Sequence, residues 1–169
     1  MAATERSRVG GRDQSGPDSY EQIVKSATDL RDRALAGRIV VGAEDQTWEQ
    51  GRQGRAKFFL CREAPTNSVL HDWVVFVHDI RTHSGEHRHQ GGLVIYVLEG
   101  EGFTEVGGEK FEWEAGDLLL LPIKVNGVVH KHYNKRPGDN CKWMAFIYRP
   151  LGDAIGFFLE HKANSPDYK

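Results

Sequence analysis

A chain of 169 residues with 39% hydrophobic and 27% charged side chains has the size and composition of one globular domain with a sizeable core. Its formal charge of -2 gives no electrostatic reason to expect nucleic acid or an anionic membrane as a partner. No window approaches the roughly 18 to 20 apolar residues of a membrane span, and the opening MAATERSRVGGRDQSG lacks the apolar stretch of a secretory signal, so a cytoplasmic location is the expectation.

In chain order, residues 1–17 carry almost nothing apolar and are read as a disordered tail. DSYEQIVKSATDLRDRALAG then places Ile23, Ala27, Leu30 and Ala34 at helical spacing, which predicts an amphipathic helix packed on the outside of the rest of the domain. Ser19 with Gln22 forms a candidate capping box, and Gly37 fits the stop. The polar run from Gly42 to Arg55 reads as a loop anchored by Trp48, completing an N-terminal region over 18–55.

Over 56–150 the pattern changes to short runs rich in Val, Ile, Phe, Tyr and Trp, separated by Gly, Pro and Asn: KFFLCRE, DWVVFVHDI, GLVIYVLEG, GFTEVGGEKFEWEA, GDLLLLPI, NGVVHKHYN and CKWMAFIYRP. That spacing predicts an all-β barrel or sandwich, and Gly107-Gly108 marks a tight hairpin between alternating flanks. In 151–169, Ile155, Phe158 and Leu159 share a helical face, which predicts a short closing helix and then a polar tail. Cys61 and Cys141 are read as reduced, buried thiols rather than a disulfide framework.

Chemistry concentrates in two segments. SGEHRHQGG holds His87 and His89, and VVHKHYN holds His130 and His132; on strands, period-two alternation puts each pair on one face, so two imidazole pairs can converge on a metal. His132 has three readings: a fourth ligand, an acid or base beside a bound substrate, or an idle residue at the barrel mouth. His71, His78 and His161 are assigned to surface or packing. Arg81 and Arg62 are candidates for gripping a carboxylate through the guanidinium fork, with solvated strand ends as the alternative. Ile95 and Val97 share a face with Leu93, and Tyr96 faces the other way. In Lys142–Tyr148, either Trp143, Ala145 and Ile147 or Met144, Phe146 and Tyr148 must line the interior, which makes Leu93 and Trp143 candidate pocket residues.

Gly85, His87 and His89 followed by LVIYVLEGEG, and later Gly116, Pro122, Gly127, His130 and Asn134, resemble the two motifs of the cupin family, with a Pro-to-Gly turn longer than usual. The resemblance implies a double-stranded β-helix, or jelly-roll barrel, with the N-terminal helix and short C-terminal helix as additions. It also implies His87, His89 and His130 as metal ligands. Where many cupins carry a ligating Glu, this chain has Leu93. An apolar residue there, beside His-x-His, is similar to the three-histidine gentisate and salicylate dioxygenases, which are larger, two-barrel chains. That likeness implies Fe(II), with Mn(II), Ni(II) or Zn(II) as alternatives, and a small aromatic or hydroxy acid as substrate. A Lewis-acid isomerase, lyase or decarboxylase and a non-catalytic binding barrel are the competing readings. With a single helix before the barrel, no helix-turn-helix for DNA is expected. Exposed sheet edges predict a homodimer.

Overall fold

The computed structural model describes residues 16, 18–62 and 67–169. The tail expected over 1–17 therefore lies outside the described residues apart from Gly16. Helix α1 (Ser19–Ala36) is followed by strands β1 (Trp48–Gly51), β2 (Gly54–Leu60), β3 (Trp73–Asp79), β4 (Glu86–His89), β5 (Leu93–Glu99) and β6 (Glu101–Val106). Then come β7 (Glu109–Glu114), β8 (Leu118–Leu121), β9 (Val128–Asn134), β10 (Lys142–Tyr148), helix α2 (Arg149–Ala154) and β11 (Glu160–Ala163).

The strands form two antiparallel sheets, one in the order β1-β2-β3-β10-β5-β8 and the other β11-β4-β9-β6-β7. Period-two alternation sets what each strand sends inward. On β5, Leu93, Ile95 and Val97 are buried while Val94, Tyr96 and Leu98 stand outside. On β10 the inward face is Trp143 and Ala145 with Ile147 packed against the same core. Each aliphatic side chain fully buried there contributes about 1.5–3 kcal/mol. The β6–β7 hairpin turns at Gly107 and Gly108, both at positive φ (60° and 93°), as the Gly-Gly pair predicts. Cys61 and Cys141 are thiols rather than a disulfide, Cys61 half-buried and Cys141 buried, and burial pushes the Cys141 thiol up to about 12.

Four local expectations are corrected. The run Gly42–Arg55 is not a loop throughout: after a 3-10 turn at Ala43–Asp45 it supplies β1 and the start of β2. Polar side chains on a half-solvated edge strand hid it, and Trp48 holds it by lying under Arg55 and Lys57, 4.4 and 5.1 Å from its ring centre. The helix cap is Asp18, whose Oδ1 accepts from Glu21 N (2.8 Å), rather than Ser19 with Gln22. Helix α1 buries no residue against the barrel, and its apolar stripe stays open, with Ile23 65% exposed. The C-terminal helix ends at Ala154; Gly156 turns at positive φ, and 160–163 form β11, because the edge of β4 offers unpaired backbone groups that a strand satisfies and a helix cannot. No helix among the described residues is long and apolar enough to cross a membrane.

Candidate metal centre

The register of β4 on β9 builds the centre. His87 sits directly opposite His130, and His89 opposite Val128, so the inward faces of two neighbouring strands present three imidazoles together. Ring centres of His87 and His130 are 4.2 Å apart, and those of His89 and His130 4.7 Å. One nitrogen from each of His87, His89 and His130 lies within 4.8 Å of the others.

Burial is the main cause that keeps these rings neutral, lowering His87 to about 2, with His130 and His89 adding mutual repulsion, and His89 to about 4. His130 is lowered likewise by burial, against the opposing effect of the Val128 carbonyl. That carbonyl accepts from His130 Nδ1 (3.0 Å), which leaves the ring lone pair on Nε2. His130 Nε2 and His87 Nδ1 are buried without a hydrogen-bond partner among the described residues.

These features fit a metal. Neutral imidazoles are its ligand form, and the lone pair on the buried, unpartnered His130 Nε2 is available to bind one. Nitrogens within 4.8 Å of one another can reach one ion once the three rings draw together around it. His89 Nδ1 accepts from Gly91 N (3.0 Å), so ligation by His89 involves giving up that contact or a half-turn of the ring.

The cavity around the centre is about 590 Å³ and mostly apolar. Leu93 lines it from the start of β5, and Trp143 lines it from β10. His132 also lines it, buried rather than idle at the mouth, and stands outside the three-nitrogen cluster, with its ring centre 5.6 Å from that of His130. Burial holds His132 well below its ordinary value, with the neighbouring histidines adding to it.

The two arginines do not arrive. Arg81 is exposed, and the chain meets its backbone rather than its guanidinium: its carbonyl accepts from Asn134 Nδ2 (3.3 Å) and Gly138 N (3.2 Å). The alternation from His89 back to Arg81 fails because residues 80–85 lie outside strands β3 and β4. Arg62 pairs with Asp153 (2.8 Å) and lines a smaller neighbouring pocket. The arginine that does line the cavity is Arg149, the first residue of α2, with its guanidinium 4.9 Å from the Phe157 ring centre.

His78, assigned to packing, lines the cavity as well and meets Trp143 edge-on at 4.8 Å. Its signal was parity with Val74 and Phe76, which line the same wall. Gln90 was also missed. Its Nε2 donates to Gly156 O (2.8 Å) and its Oε1 accepts from Phe158 N (3.1 Å), which draws the C-terminal segment across the centre and brings Phe157 to 6.1 Å from His89.

The comparisons with known proteins agree with this architecture. The cupin domain profile matches residues 75–147. A gentisate 1,2-dioxygenase from Haloferax sp. is 30% identical over 74 residues, 44% of this chain and 19% of that protein. A 5-aminosalicylate 1,2-dioxygenase from Comamonas sp. is 30% identical over 81 residues, 47% of this chain and 20% of that protein. The chain thus spans about one fifth of the length of the curated relatives it matches. Among solved structures, a salicylate 1,2-dioxygenase from Pseudoaminobacter salicylatoxidans with gentisate superposes at a TM-score of 0.51 and 15% identity, covering 85% of this chain and 35% of that one, a likeness of fold.

Proposed function

We propose that this cupin-domain chain is a non-heme Fe(II)-dependent, dioxygenase-like enzyme acting on a small aromatic or hydroxy acid. The observation that carries the reading is a cluster of three neutral imidazoles, His87, His89 and His130, joined by no carboxylate among the described residues and opening on a mostly apolar cavity of about 590 Å³. The curated relatives, by their names dioxygenases of gentisate and 5-aminosalicylate, support the direction.

Neutral ligands leave the charge of a divalent cation uncompensated, so the cavity favours an anionic ligand. A bound Fe(II) supplies a redox centre with coordination positions beyond the three imidazoles. Around it the chain's own residues act by binding and exclusion. Leu93 and Trp143 give the apolar wall, Arg149 places a cation on the lining, and Gln90 holds Phe157 over His89, where the ring restricts water. His132 is a neutral imidazole beside the ligand, suited to exchanging a proton or a hydrogen bond with it.

A homodimer belongs to the same reading. Leu118 and Leu120 on edge strand β8 are 62% and 65% exposed beside Val94 and Tyr96 of β5, an apolar outer face that a second copy would cover. Light scattering on the parent and on a Leu118→Lys, Leu120→Lys variant tests it, with a monomeric parent as the opposing result.

The function is tested by elemental analysis of protein purified without a chelating tag, followed by oxygen uptake with gentisate and salicylate. Iron near one per chain, lost in a His87→Ala, His89→Ala variant, together with uptake that depends on substrate, is the expected result. Turnover of an acid without oxygen uptake would move the reading to Lewis-acid chemistry. No metal retained after anaerobic Fe(II) or Mn(II) addition would overturn both.

A further inference from the structure

The interior holds a chain of polar contacts that the metal centre does not use. Trp113, on β7, sends its indole Nε1–H to Thr104 Oγ1 on β6 (2.9 Å), and Thr104 Oγ1 lies 2.7 Å from His132 Nδ1 on β9. Trp113, Thr104 and His132 are all buried, and Thr104 is 0% exposed.

The proton count along this chain has one satisfactory solution. An indole N–H can only donate, so Thr104 Oγ1 accepts from Trp113. Were His132 Nδ1 also a donor, the hydroxyl would accept twice and its own proton would sit in the interior with no acceptor, an arrangement that native interiors avoid. With the hydroxyl donating to His132 Nδ1, every group is satisfied, and the ring proton of the neutral imidazole is on Nε2.

That assignment has two consequences. Ligation through Nε2 would require its proton to move to Nδ1, where Thr104 has placed its own, so the relay keeps His132 out of the metal cluster. It also makes Nε2–H the free donor of a residue that lines the cavity. A second donor stands beside it: Trp143 also lines the cavity, its ring centre is 4.9 Å from that of His132, and its Nε1 is buried with no hydrogen-bond partner among the described residues. Two N–H groups with no acceptor among the described residues, on the wall of the cavity that the three histidines also line, suit an oxygen that only accepts.

We propose that Thr104 and Trp113 fix His132 as an Nε2–H donor, and that His132 and Trp143 together bind an acceptor oxygen, carboxylate or phenolate, of the ligand held at the three-histidine centre. The proposal rests on the reading of the cavity as the site of a small anionic ligand. Thr104 and Trp113 are positioning residues; Trp143 and His132 touch the ligand.

The test separates the two layers. In Zn(II)-loaded protein with 15N-labelled histidine, NMR correlation spectra report which ring nitrogen of His132 carries the proton, with a His132→Gln variant supplying the assignment. The expected tautomer is Nε2–H in the parent and in Thr104→Ser, and a mixed or Nδ1–H ring in Thr104→Val. Calorimetric titration with salicylate is expected to show Kd raised at least tenfold in Trp143→Phe and in Thr104→Val, at unchanged zinc content, with Thr104→Ser close to the parent.

An Nδ1–H ring in the parent overturns the relay. Unchanged Kd in Trp143→Phe, or no salicylate binding to the loaded parent, overturns the donor pair. Failure of the oxygenase reading alone looks different: salicylate bound with the expected variant pattern, and no oxygen consumed by the iron-loaded protein.

Discussion

His78 converts a buried imidazole into a measurable acid sensitivity. Burial, opposed by the Gln53 backbone carbonyl and the Asp79 charge, lowers it from 6.5 to about 4. Between those values the unfolded chain binds a proton that the folded one refuses, so stability falls as pH drops through this window; it is fully present above 6.5 and levels off below about 4. At 1.36 kcal/mol per pH unit the loss is about 3 kcal/mol, and at 4% exposure solvent screening takes little from it. Metal-free protein and a His78→Phe variant, which keeps a ring against Trp143, are unfolded with urea across this range. The parent is expected to lose about 3 kcal/mol more than the variant between pH 6.5 and about 4. Parallel curves would refute the argument, since the other buried histidines are common to both proteins.

Other perturbations act through the packing. A Cβ on Gly102 would stand 2.2 Å from Tyr133 O and 2.3 Å from a ring carbon of Trp113, one fixed by β6–β9 pairing and the other by the core. Gly102→Ala should therefore cost about 3 kcal/mol or abolish folding, and a melting temperature within a degree or so of the parent would contradict it. Ile23→Gln should change stability by no more than about 0.5 kcal/mol, because α1 buries no residue; chemical denaturation with a clearly larger loss would show that the helix is held. Zn(II) at about 100 times its Kd should stabilise the parent by about 2.7 kcal/mol and leave the His87→Ala, His89→Ala variant unmoved, and equal stabilisation of both would place the metal elsewhere.

Sequence by itself determined the parts that rest on short-range periodicity. Alternation in LVIYVLE and VVHKHYN is enough to say which side chains share a face, and a Gly-Gly pair between alternating runs is enough to place a turn. Alternation likewise puts His87 with His89 and His130 with His132 on single faces, whereas the choice of His130 over His132 as a candidate ligand came from the resemblance to the cupin motifs. Tertiary structure decided everything that depends on which strands become neighbours. His87 meets His130 only because β4 pairs with β9, and the Trp113–Thr104–His132 chain exists only because β7, β6 and β9 lie side by side. Arg81 looked aligned with His89 because parity was carried through a segment that is not a strand, and Arg149 was invisible because reaching the cavity is a matter of where β10 ends. Helix α1 shows the limit from the other side: an amphipathic stripe states that a helix can bury a face, and the described chain provides nothing that covers it. Backbone periodicity is local and written in consecutive residues, whereas pairing across some forty positions is a property of the assembled sheets.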